Sequence, residues 1–143
     1  MGAVDPMKLV FVDTSGFYGF LDRTDPFHET SKSQFLSCEA HGWHMLTSSF
    51  VLHETWALVQ ARLGWDAVED WLSSLVPLCE IVWINEAIYT TASARTRQAR
   101  ERRLSLTDCS SFEIMLAHNC RHFIGDDKHF QTMGFTAPAD EGT

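Results

Sequence analysis

The acidic side chains at four separated points of the chain could do chemistry together. Asp13 follows the apolar run Leu9-Val10-Phe11-Val12 directly. That run reads as a buried strand, so the carboxylate stands at the strand's carboxyl end. An Asp there can also cap the helix that opens at Thr14 or Ser15. Glu54 lies four residues after Phe50 and four before Leu58. It therefore shares a helical face with an apolar stripe of Phe50, Val51, Ala57, Leu58 and Ala61. A carboxylate on such a face is costly unless it is paired, metal-bound or able to reach solvent at the stripe's edge. Asp108 completes a Ser105-x-x-Asp108 capping pattern and also lies four residues before Phe112, so a cap and an inward-facing acid are compatible readings. Asp126 and Asp127 end the run His122-Phe123-Ile124, where a solvated turn or a bound cation would relieve their repulsion. Taken one at a time these signals are weak. Taken together they place distant acids at strand ends and at the first turns of helices, and clustered like charges cost free energy unless protonated or neutralised. Oxygen ligands without cysteine or histidine at zinc spacing point to a hard divalent cation.

Strand and helix patterns alternate to position these acids. Strands are expected at Lys8 to Val12, Trp43 to Thr47, Glu80 to Ile84 and His122 to Ile124, with Gly134-Phe135-Thr136 as a fifth, edge strand. Helices are expected from Ser15 to Leu21, from Asp25-Pro26 to about His41, and from Ser48 or Ser49 to Leu63. Others run from Asp66 to Leu75, Glu86 to Arg103 and Ser105 to Asn119, and a last turn reaches Met133. Gly42 and Gly64 act as stops. Alternation of this kind predicts an α/β fold, a three-layer α/β/α domain around a short parallel sheet of four to five strands. Ligand sites in open sheets of this type lie outside the carboxyl ends of the strands.

Composition sets bounds. The chain has 143 residues, 45% hydrophobic and 21% charged, which suits one domain. MGAVDP precedes a second methionine and reads as a cloning leader (1–6), followed by a domain over 7–137 and a polar tail over 138–143. The absence of a long apolar run or secretory pattern argues for a cytoplasmic protein without a membrane span. Cys38, Cys79, Cys109 and Cys120 have no C-x-x-C spacing and read as reduced thiols. The net charge of −8 argues against nucleic-acid binding through overall charge. It does not exclude an acidic site that becomes less negative on loading a cation. The segment Arg95, Arg97, Arg100, Arg102, Arg103 holds five of the eleven Lys and Arg residues. It reads either as a dipole-compatible helix end or as a phosphate-positioning patch. Trp43, Trp56, Trp65, Trp71 and Trp83 read mostly as core, with Trp65 and Trp71 flanking a helix.

The segments LVFVDTSGFYGFLDRTDPFH, SSFVLHETW, RRLSLTDCSSFEIM and FIGDDKHFQTMGF, in that order, resemble those of PIN domains, in particular the VapC-type toxins of bacterial toxin–antitoxin pairs. The likeness spans Met7 to about Phe135. It implies that Asp13, Glu54, Asp108 and Asp127 are catalytic, metal-binding acids, with Asp126 a competing fourth ligand. It also implies that Thr14, Ser15 and Thr107 support them. One or two Mg²⁺ or Mn²⁺ ions are implied, with hydrolysis of RNA phosphodiesters to 5′-phosphate and 3′-hydroxyl ends. Arg100, Arg102 and Arg103 are the expected RNA contacts. His129 reads first as a surface helix histidine, otherwise as a neighbour of the site or of RNA. The helix flanked by Trp65 and Trp71 is where the family often forms a groove for a partner. A small antitoxin protein and a homodimer are the implied partners. The alternatives are a non-toxin PIN nuclease of RNA maturation and a catalytically inactive PIN binding module. A phosphoacceptor receiver domain fits poorly, because the third strand pattern ends in Ile84-Asn85 rather than in an Asp.

Overall fold

The computed structural model describes residues 8–139. The leader at 1–6 and the last four residues of the tail lie outside the described residues. Four strands, β1 (Leu9–Val12), β2 (His44–Ser48), β3 (Cys79–Val82) and β4 (His122–Ile124), form one parallel sheet in the order β3-β2-β1-β4. Seven helices connect and cover it: α1 (Thr14–Leu21), α2 (His28–Ala40), α3 (Ser49–Arg62), α4 (Trp65–Ser74), α5 (Glu86–Ala99), α6 (Leu106–Ala117) and α7 (Lys128–Thr132). The result is the expected α/β/α architecture. Parallel strands buried on both faces need unbroken apolar runs, and all four residues of β1 are buried.

Register brings the acids together. Val12 pairs with Ile124, and Val10 with His122, so β1 and β4 end side by side. The Asp13 amide donates to the Ile124 carbonyl at 3.1 Å, extending that alignment one residue further. On the other side β2 leads straight into α3 through Ser48, whose hydroxyl accepts the Val51 amide at 3.2 Å. Gly16 lets α1 lie directly on β4, because a Cβ there would collide with the Ile124 carbonyl. Two aromatic groups fix the layers. Phe17 packs against Phe35 and Trp71, uniting α1, α2 and α4. Phe130 packs against Phe112 and Phe123, uniting α6, β4 and α7.

Several elements differ from expectation. α2 begins at His28, since Asp25 turns the chain by accepting the Phe27 amide at 2.8 Å. α5 ends at Ala99 instead of Arg103, because Arg100 is left-handed (φ 49°) and closes the helix. β3 spans Cys79–Val82 rather than Glu80–Ile84. The fifth strand reduces to a single parallel bridge between His122 and Thr136. The tryptophans divide: Trp71 is fully buried, whereas Trp56, Trp65 and Trp83 are exposed. Trp71 is thus core. On α3 the buried face is Val51, Thr55 and Val59; Ala57 and Ala61 face outward and line an open apolar groove with Trp56 and Trp83. Among the described residues no helix is long and apolar enough to cross a membrane.

Candidate metal centre

At the carboxyl ends of β1 and β4 lies a cavity of about 250 Å³ lined by six carboxylates, those of Asp13, Asp25, Glu54, Asp108, Asp126 and Asp127. Each arrives on a different kind of support. Asp13 terminates β1 and is 3% exposed. Its Oδ2 accepts the Ser15 hydroxyl at 3.1 Å, while its Oδ1 is buried with no hydrogen-bond partner. Asp108 sits in the first turn of α6 inside a capping box: its amide donates to Ser105 Oγ at 3.0 Å and its Oδ2 accepts the Ser105 amide at 3.1 Å. That arrangement fixes one carboxylate oxygen and leaves the other to the cavity. Asp127 caps α7, its Oδ1 accepting the His129 amide at 2.8 Å. Glu54 is half-buried on α3.

The supporting hydroxyls sort differently. Ser15 serves two acids, donating to Asp13 and accepting the Asp126 amide at 3.0 Å. Gly125 makes this possible, since a Cβ there would lie 2.7 Å from Ser15 Oγ and 3.3 Å from the Asp13 Cβ. Thr14 lines the cavity and accepts from buried Thr55 at 3.3 Å. Thr107 does not line the cavity; it lines a separate open groove with His53, Glu54, Ala57, Leu58 and Ala61, and its carbonyl accepts the Ser110 and Ser111 hydroxyls.

The electrostatics are strained. Burial, then the charges of Asp108 and Asp127, push the Asp13 carboxyl up to about 8. Burial and Asp127 hold Asp108 at about 6. Burial and Asp25 raise Asp126. These shifts register the cost of gathering anions in a poorly hydrated pocket. An oxygen-rich set with a buried, unpartnered lone pair at Asp13 Oδ1 suits a hard divalent cation. Among the described residues, Asp108, Asp127 and His129 offer ligand atoms within 4.8 Å of one another. Asp13 stands outside that trio but is coupled to both acids by charge, and Glu54 is coupled to Asp108.

The match to a family model spans residues 10–135 and is to the PIN domain. The chain belongs to the PIN domain family. This PIN domain also superposes on the crystal structure of Mycobacterium tuberculosis VapC20, described as a sarcin–ricin loop cleaving toxin. The two share 27% identity over 88% of this chain and 95% of that one, with a TM-score of 0.77. No curated protein matches the sequence.

Two charged residues of the PIN domain's cavity, besides Tyr18 and Leu58, escaped the sequence reading. Asp25 reads as the opening of a helix; only the loop's return toward β4 makes it a wall of the site. Arg62 reads as an ordinary basic helix end. It follows Glu54 and Leu58 at intervals of four on α3, so all three line the cavity, about 12 Å from first to last. Its guanidinium lies 5.6 Å from the centre of the Tyr18 ring, and the Tyr18 hydroxyl donates to Asp22 at 2.7 Å. The spacing of four was the available signal. As for the basic segment, Arg95 pairs with Glu113 of α6 at 2.7 Å and ties two helices together. Arg100, Arg102 and Arg103 are exposed in the α5–α6 connection.

Proposed function

We propose that this PIN domain is a metal-dependent endoribonuclease and the toxin of a type II toxin–antitoxin pair. The observation that carries the reading is the buried, unpartnered Asp13 Oδ1 beside Asp108 and Asp127. Asp13, Glu54, Asp108 and Asp127 are the proposed ligands. Asp126 faces the same cavity but its side chain is more exposed than that of Asp127, which favours Asp127 as the fourth ligand. Mg²⁺ or Mn²⁺ held there supplies Lewis acidity, activating water and offsetting phosphate charge.

The chain's own residues do the rest. Ser15 fixes one oxygen of Asp13, and the other, buried and without a partner, would hold the cation. The capping box likewise fixes one oxygen of Asp108. Arg62, at the rim, offers its charge to a phosphate of the bound strand. Arg100, Arg102 and Arg103 grip the backbone outside the cavity, where exposed arginines serve position rather than sequence. Water attacks in line with the departing 3′ oxygen, leaving 5′-phosphate and 3′-hydroxyl ends. A small antitoxin protein that covers the acidic cavity is the proposed inhibitor. The open apolar groove walled by Trp56 and Trp83 supports pairing with a second copy in the cytoplasm. The likeness to VapC20 makes a sarcin–ricin loop RNA the first defined substrate to try.

Incubating the purified protein with total RNA and with that loop, in Mg²⁺, Mn²⁺ or chelator, tests the reading. Metal-dependent cuts with 5′-phosphate ends are expected, and none from Asp13→Asn. Growth arrest on expression, relieved by a neighbouring small protein, separates a toxin from a nuclease of RNA maturation. Cleavage that persists in chelator overturns the metal-dependent mechanism.

A further inference from the structure

The α5–α6 connection and the metal centre are joined through one side chain. His129 lies on α7 with its Nδ1 3.0 Å from Asp127 Oδ1 and its Nε2 3.0 Å from Glu101 Oε2. The His129 amide reaches the same Asp127 oxygen at 2.8 Å. Asp127 Oδ1 is therefore held twice by one residue, which leaves Oδ2 for the cavity. Glu101 follows Arg100, whose left-handed backbone closes α5, and precedes Arg102 and Arg103. A carboxylate between exposed arginines has near partners of opposite charge in sequence, yet here it reaches across to α7. The imidazole, with each nitrogen facing a carboxylate, is engaged on both sides and is poorly placed to bind the cation itself.

Resting on the nuclease reading, we infer that His129 is a positioning residue that couples the arginine-bearing segment to the metal ligand Asp127. The Glu101–His129–Asp127 bridge sets the aim of Asp127 at the cation. It also fixes where Arg102 and Arg103 stand relative to the phosphate being cut. Partners that orient a metal ligand from behind change metal affinity or activity by roughly 10–100-fold when removed. Loss of the bridge from either end releases the arginine segment, while only loss of the His129 ring also removes one of the two hydrogen bonds that hold Asp127 Oδ1.

The test compares wild type, His129→Ala, Glu101→Ala and the double variant. Calorimetric Mn²⁺ binding without RNA is measured first, then kcat and KM for cleavage of ribosomal RNA. His129→Ala is expected to weaken Mn²⁺ binding about tenfold and to raise KM. Glu101→Ala is expected to raise KM with a smaller effect on Mn²⁺, and the double variant to match His129→Ala instead of multiplying the two losses. Unchanged Mn²⁺ affinity in a folded His129→Ala protein overturns the inference, as do independent, multiplying effects on KM. Glu101 is exposed, so its variant serves if His129→Ala does not fold; a KM equal to wild type then overturns the coupling. A wild type that binds no Mn²⁺ sinks the nuclease reading and the bridge with it. A wild type that binds while both variants behave identically to it sinks the bridge alone.

Discussion

Replacing Asp13 by Asn should stabilise the metal-free protein while weakening its response to cations. In the unfolded chain the Asp13 carboxyl ionises near 3.8, whereas burial and the charges of Asp108 and Asp127 raise it to about 8 in the fold. The folded state thus binds the proton more tightly than the unfolded state. Asp13 costs nothing below about pH 4, and its penalty grows as pH rises from there until it levels off near 8. At about 1.4 kcal/mol per pH unit, the penalty approaches ~5 kcal/mol at mildly alkaline pH. At about 2–4 °C per kcal/mol for a domain of this size, that is a loss of roughly 10–20 °C in Tm. Asn carries no such penalty. Asp108 titrates in both proteins, so the difference between the two melting curves reports Asp13 together with its charge coupling to Asp108 and Asp127. Thermal melts of both proteins in chelator, from pH 4.5 to 8, should converge at the acid end and separate as pH rises, with Asn the more stable. Mn²⁺ at a hundred times its Kd should return about 2.7 kcal/mol to the wild type and much less to the variant. Parallel curves, or equal stabilisation of both proteins by Mn²⁺, would refute the reasoning.

Three further outcomes follow from the same geometry. Because protons and the cation compete for Asp13 and Asp108, the Mn²⁺ concentration giving half-maximal cleavage should rise as pH falls below about 8, where Asp13 takes up its proton, and more steeply below about 6, where Asp108 does. A pH-independent half-saturation would exclude those two ligands. Gly125→Val should push Ser15 away from Asp13 and Asp126, costing roughly 1–3 kcal/mol of stability by overpacking and impairing cleavage, with chemical denaturation and an RNA assay as the readouts. Substituting Arg100, Arg102 and Arg103 together by Ala should weaken binding to RNA and flatten its dependence on salt, measured as log K against log salt concentration with Asp13→Asn in both proteins to prevent cutting.

The acids at strand ends were legible because short apolar runs end abruptly at them: LVFV before Asp13 and HFI before Gly125-Asp126-Asp127 leave little choice of strand boundary. Asp108 was legible twice over, as a cap and as an inward residue, and it is both. What the sequence could not supply was the relation between faces of different elements. Ala57 and Ala61 look like core on a helical wheel, yet they line an open groove, because which stripe of α3 meets the sheet depends on the crossing of β2 into that helix. Trp56 is exposed for the same reason, and Trp83, just past β3, lines the same groove. Asp25 and Arg62 belong to the cavity only through the return of the 22–27 loop and the end of α3. The end of α5 depended on one backbone angle at Arg100, a residue with ordinary helix propensity. His129 lay in plain view beside Asp127, but its partner Glu101 is 28 positions away.

The central claim is that these carboxylates surround a divalent cation. A crystal grown with Mn²⁺ and examined by anomalous scattering addresses it directly. The account predicts a peak within coordination distance, about 2.0–2.6 Å, of Asp13 Oδ1 and of Asp108 and Asp127 oxygens. A saturated crystal with no peak in that cavity, or with Mn²⁺ held elsewhere, would contradict it.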